Sequence, residues 1–199
     1  MWPRILIATL VGGVLIFVTG ATNHMVFQLL DRTFRNIPDS TTFSDDLKSR
    51  DLPHGMYRFP DMPQPADRSD PAKMDEFMKR YAAGPSGMLH IAHQGPMLMG
   101  EMIGKELITN IFAAFMAAWI VSLFGPEVGF GRRWLAVLLI GLAGWVSISA
   151  SYGIWYRFPH DLLHDELLCT FLEWSLAGLA IAAIVRRKPE LTLNQQTAA

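Results

Sequence analysis

The sequence predicts a membrane all-α fold: a four-transmembrane-helix bundle with a small α+β extracytoplasmic domain inserted between helices 1 and 2. Three observations predict it. Four stretches, Ile5–Gly20, Leu107–Phe124, Trp134–Tyr156 and Leu167–Val185, carry no charge except Glu173. Each approaches the roughly 20 residues that a helix rising about 1.5 Å per residue needs to cross a hydrocarbon core. Charged and proline-rich sequence fills the intervals, and soluble helices rarely lack a polar face for so long. The chain has 199 residues, 51% of them hydrophobic. Soluble proteins reach that fraction too, so the distribution decides.

Residues 1–30 form the first transmembrane element. The apolar pattern continues past Gly20 through Met25, Val26, Phe27, Leu29 and Leu30, which predicts a helix that overshoots the membrane. A rival reading is a cleavable signal peptide, with Arg4, the apolar run to Val18, and Thr19-Gly20-Ala21 as the small-residue site. The continuing apolar pattern favours a retained helix.

Residues 31–96 form the extracytoplasmic domain. Ser44 before Asp45 and Asp46 reads as a helix cap with acids at the positive helix end, and Pro53 keeps that helix short. Asp70-Pro71 opens a second helix. Met74, Phe77, Met78 and Tyr81 recur at helical spacing, and Gly84 closes it. Met56–Phe59 and Met88–His93 read as short strands able to pair, and Pro60–Asp70 as loop. Gly95-Pro96 starts the next helix. The remaining spans are 97–124, 134–156 and 160–185, followed by a polar tail, 186–199.

Arg4, Arg132, Arg133, Arg186, Arg187 and Lys188 flank three membrane ends that face one side in a four-span protein. The short-loop rule therefore places both termini in the cytoplasm. Trp134 sits beside the arginine pair. Tyr152, Trp155, Tyr156 and Phe158 gather at the opposite end of their helix, as an interfacial belt would. A net charge of −1 argues against a nucleic-acid partner. The single cysteine, Cys169, excludes an intramolecular disulfide and disulfide oxidoreductase chemistry.

Gly84-Pro85-Ser86-Gly87 before a strand, Gly55–Pro60 before a proline-rich loop, and Ser147–Pro159 (SISASYGIWYRFP) leaving the third helix give the chain its order of features. In this it resembles a family of uncharacterised bacterial four-helix integral inner-membrane proteins. The resemblance implies a bacterial inner membrane and carries no function. The layout of a large first and small second outer loop is also similar to that of claudins, whose disulfide-forming cysteines are missing here.

Two polar groupings offer chemistry. The first lies in the outer half of the bundle. Glu166, Thr170, Glu173 and Ala177 share a face of the fourth helix. Glu106 and Asn110 share one on the second, beside Thr109. Gly141, Gly144, Ser147 and Ser151 line the third, and Asn23 and His24 end the first. An ionisable residue at such depth is costly and faces the bundle or a water-filled cavity. A ligand- or proton-binding site of His24, Glu106, Asn110 and Glu173 is one reading. A structural hydrogen-bond network between closely approaching helices is the plainer one.

The second grouping is histidine-based. His160 and His164 lie one helical turn apart, a zinc-chelating spacing. The run HDLLH resembles the HExxH metalloprotease motif, with an aspartate in place of the glutamate base. Glu173, nine residues past His164, points to the opposite face, so a third ligand must come from His54, His90 or His93. The plainer reading is surface histidines at a helix start. Zinc is thus the one cofactor considered, and none is required. The role expected is a non-enzymatic accessory, scaffold or interaction protein whose partners are the lipid bilayer and other membrane proteins or itself. The alternatives are a small transporter or ligand-binding protein built on the polar cluster, and an extracytoplasmic zinc-binding protein or hydrolase.

Overall fold

The structure, a computed structural model, describes residues 1–92 and 98–186. His93, the expected helix start at Gly95-Pro96 and the tail beyond residue 186 fall outside the described residues. The chain divides into two compact units, one of Met1–Phe34 with Leu98–Ala199, the other of Arg35–Met97.

The first unit holds four long helices: α1 (Trp2–Met25), α4 (Met99–Ser122), α5 (Phe130–Tyr156) and α6 (His160–Ile184), numbered so because α2 and α3 belong to the second unit. Each is long and apolar enough to cross a membrane. They are 24, 24, 27 and 25 residues long, against the roughly 20 that a bilayer requires.

The interior of this unit is built from small side chains. α1 contributes Ile5, Ala8, Gly12 and Ile16; α4 contributes Ala114, Ala117, Ala118 and Val121. α5 adds Val137 and Gly141, and α6 adds Ala177, Gly178, Ile181 and Ala182. The i, i+4 recurrence sets these residues as ridges along each helix. α1 packs against α4 and α6, and α5 packs against α6, whereas α4 meets α5 and α6 only sparsely. The central pair is therefore α1 and α6, which are the first and last helices of the chain.

Glycines set the closest approaches. A Cβ at Gly13 would lie 2.6 Å from the Ile111 Cα, a backbone atom that cannot step aside. At Gly141 an added Cβ would strike the Trp174 indole. Trp134 ties α5 to α6 by donating from Nε1 to the Ser175 carbonyl at 3.1 Å. Small residues permit such contact where lipid tails supply no hydrophobic drive for helices to associate. The opposite faces are apolar and exposed, as at Leu10, Phe112, Leu139 and Leu176.

α1 ends at Met25 and does not extend to Leu30. The N–H groups of Val26 and Phe27 both turn back to the Thr22 carbonyl, Leu29 N–H reaches the Asn23 carbonyl, and Gln28 adopts a left-handed φ of 52°. Residues Asp31–Thr33 then form a single 3-10 turn. The apolar run past Met25 is thus a turn, and hydrophobicity alone did not distinguish it from helix. α5 starts at Phe130, four residues before Trp134, so Arg132 and Arg133 lie in its first turn rather than ahead of it.

The second unit holds α2 (Ser40–Ser49), β1 (Gly55–Phe59), α3 (Pro71–Ala83) and β2 (Gly87–Ile91). The strands pair antiparallel from Gly55↔Ile91 to Phe59↔Gly87. At the last pair, the Phe59 ring covers Gly87 where a Cβ would come within 2.7 Å. α3 opens as its sequence signals: the Asp70 carboxylate accepts from Ala72 N–H at 2.9 Å, and Gly84 at the other end has a positive φ of 62°. Phe77 is its buried residue and stacks obliquely on Tyr81. Lys73 pairs with Asp67 at 2.6 Å and Arg80 with Asp61 at 2.8 Å, fastening the loop before the helix. Both Phe59-Pro60 and Gly84-Pro85 are cis. α2 begins four residues before Ser44, with Asp39 at its N-cap position. Ser44 is interior to the helix, and Asp45 and Asp46 pair with Lys48 and Arg50 along its surface.

Candidate functional site

The polar grouping of the bundle assembles from three helices. α1 brings Asn23, only 1% exposed and set one turn past Gly20. α6 brings Glu173, in the middle of its apolar run. Asn23 Nδ2 donates to Glu173 Oε1 at 3.4 Å. A Cβ at Gly20 would lie 3.2 Å from that same oxygen, so the glycine leaves the carboxylate its room. α4 brings a second amide–carboxylate pair, Asn110 Nδ2 donating to Glu106 Oε1 at 3.1 Å. Glu106 is exposed, whereas Glu173 is half-buried.

There are thus two amide–carboxylate pairs, one between α1 and α6 and one within α4, each carboxylate held on one oxygen with further lone pairs free to accept. Such a group can hold a proton or a small cation, or simply link α1 to α6. His24, the residue after Asn23, is exposed. Ser147 on α5 donates to the Gly144 carbonyl of its own helix at 3.1 Å.

At the start of α6 lies a second polar place, a cleft of about 380 Å³ lined by Arg32, Thr33, Asp161, His164 and Asp165. Pro159 ends the short connection from α5, and α6 begins at His160. One turn in, Asp165 is 5% exposed. Arg32 meets it with a two-pronged contact: Nε donates to Oδ2 at 2.7 Å and Nη2 to Oδ1. That bond holds the Arg32 guanidinium above its already high ordinary pKa. Planar fork-to-carboxylate pairing of this kind is strong and directional. Thr33 donates to the Leu30 carbonyl at 2.7 Å, stiffening the turn that carries Arg32.

Sequence reasoning did not find Arg32, since the pair spans 133 positions. The available signal was Asp165 itself: it shares a face with Cys169, and a carboxylate on a core-facing stripe requires a donor.

His160 and His164 are both exposed, one turn apart on α6. His90, on β2 of the other unit, is exposed and meets His54 edge-on, with ring centroids 5.5 Å apart. His93 lies outside the described residues. Among the described residues, no three His, Cys, Asp or Glu side chains come together as a metal-ligand set. No family model, curated protein or solved structure matches this chain.

Proposed function

We propose that the chain is a multi-pass integral protein of a bacterial inner membrane, both termini cytoplasmic, acting without catalysis as an accessory, scaffold or interaction protein. The observation that carries this reading is the apolar outward face of all four long helices, at Leu10, Phe112, Leu139 and Leu176 among others. Water solvates such faces poorly, whereas lipid chains or an apolar partner helix match them. The partners are accordingly the bilayer and other membrane proteins or a second copy.

The orientation draws support from where the basic residues gather. Arg4 Nη1 donates to the Arg186 carbonyl, joining the start of α1 to the end of α6. Arg132 and Arg133 begin α5 on the same side, because Trp134 packs on Gly178 and bonds Ser175 in the C-terminal half of α6. Asp161 and Asp165 lie at the far end of α6. A basic end is the cytoplasmic one by the short-loop rule. Resemblance to bacterial inner-membrane proteins agrees.

Alkaline carbonate washing of membranes is the test: the chain stays in the pellet, and an intact chain in the supernatant overturns the reading. A reporter fused after Ala199 is expected to be active in the cytoplasm only.

A second reading rests on the Asn23–Glu173 contact. In it, His24, Glu106, Asn110 and Glu173 bind a proton or a small ligand. Glu173→Leu separates the two: an unchanged fold with an unchanged phenotype removes the binding role.

A further inference from the structure

The two strands of the second unit have unlike faces. Tyr57 on β1, and Leu89 and Ile91 on β2, alternate with their neighbours and are half-buried. The other face carries Met56 and Arg58 on β1 with Met88 and His90 on β2, because the register pairs Met56 with His90 and Arg58 with Met88. Met56, Arg58 and His90 are exposed, Met56 to 64%. His54, the exposed residue just before β1, joins this face: its ring meets the His90 ring edge-on, with centroids 5.5 Å apart. Residues paired across antiparallel strands have Cβ atoms about 4.5–5.5 Å apart, so the side chains of Met56 and His90 rise from neighbouring points. Two imidazoles and a thioether thus share one small patch.

Methionine is by type a core residue, and strands favour β-branched or aromatic side chains. An exposed methionine opposite a histidine supplies instead a soft sulfur beside borderline nitrogens. The histidine spacing agrees with a shared ion. With metal–nitrogen bonds of about 2.0 Å and tetrahedral angles, two imidazoles on one ion have centroids about 5 Å apart. The rings stand at 84° to each other, and χ2 of histidine is a broad torsion that lets each exposed ring turn toward an ion between them. Neither strand contains a carboxylate, which disfavours calcium and magnesium. Imidazole with thioether suits copper(I), and zinc lacks here the thiolates or further histidines of its closed sites.

We propose that His54, His90 and Met56 form a binding site for a copper(I) ion, with two imidazole nitrogens and one thioether sulfur as its ligands. The site lies wholly within the Arg35–Met97 unit and depends on neither reading in the preceding subsection. It also differs from the zinc set expected from sequence, in which His90 would have joined His160 and His164.

The test uses the full-length chain without a histidine tag, in a neutral detergent. Copper(I) is titrated anaerobically as its acetonitrile complex and followed by calorimetry, with zinc titrated in parallel. Wild-type protein is expected to bind copper(I) more tightly than zinc. His54→Ala, His90→Ala and Met56→Leu each weaken copper binding by about tenfold or more, since losing even a group that merely supports a metal ligand costs that much. Met56→Leu leaves zinc binding unchanged. Met78→Leu, at an exposed methionine of α3, binds copper as wild type does. X-ray absorption of the copper complex shows both nitrogen and sulfur neighbours. Four results overturn the proposal: wild-type protein that takes up no copper(I), zinc bound as tightly as copper, an absorption spectrum without sulfur, or any of the three ligand variants binding as wild type does. If a histidine variant does not fold, Met56→Leu, a volume-conserving change at an exposed position, and the absorption spectrum decide.

Discussion

Arg32 grips Asp165 with two parallel hydrogen bonds, and so joins the turn after the first long helix to the opening turn of the last. The arginine is mostly exposed and the aspartate almost wholly buried, with side-chain exposures of 60% and 6%. Removing the exposed partner therefore harms the buried one. Arg32→Ala leaves a carboxylate enclosed without its donor, and Asp165→Asn leaves a neutral side chain that tolerates the loss. Thermal unfolding in detergent should show Arg32→Ala well below wild type, and the Arg32→Ala/Asp165→Asn double variant above Arg32→Ala. A double variant no better than the single one contradicts this account of the pair.

Gly13→Ala tests the closest backbone approach. A single methyl collides with the Ile111 backbone, and overpacking of this kind destabilises by about 1–3 kcal/mol. Gly100→Ala, at a place on α4 with open space around it, is the control and should be neutral or slightly stabilising by helix propensity. Equal stabilities of the two variants would place the α1–α4 contact elsewhere.

The Asn23–Glu173 contact predicts coupling between helices. Asn23→Ala and Glu173→Leu, made singly and together, should show an interaction free energy of about 0.6–1.7 kcal/mol, the span of interhelical hydrogen bonds in membrane proteins. Strictly additive effects would mean that the amide and the carboxylate do not act together.

In the second unit, Phe77 is the one side chain of α3 that is buried. Phe77→Ala should weaken that unit by about 3 kcal/mol. Limited proteolysis should then cleave between Arg35 and Ile91 at rates well above wild type, with α1 and α4–α6 still protected.

Much of this architecture was legible in the residues. The long apolar helices follow from the absence of charge, and α3 from Asp70-Pro71 at one end and Gly84 at the other. These signals are local: a cap, a fixed φ, an unbroken apolar run. What escaped was decided by neighbours remote in sequence or by backbone geometry. The turn at Gln28 is written in hydrogen bonds to Thr22 and Asn23, not in hydropathy. α2 starts at Ser40, a turn ahead of Ser44, so Ser44-Asp45-Asp46 gave a false cap; its acids instead pair with Lys48 and Arg50 on the surface. In the candidate site, the sequence brought Asn23, Glu106, Asn110 and Glu173 into view by depth along each helix. It could not rank Asn23 above His24, because one residue of rotation decides which of them turns inward. Arg32 and the burial of Arg133 depend on tertiary neighbours and carry no local mark.

α1 and α4 lie against each other, although the whole of Arg35–Met97 separates them in the chain. The junctions of that insert are thus fixed by a helix pair it does not itself build. Changes in the length of the insert should therefore leave the register of the bundle helices unchanged. Protein engineers can use this: a short flexible bridge from Phe34 to Leu98 should yield a minimal chain that still folds, while foreign modules spliced at those two points acquire a ready-made platform.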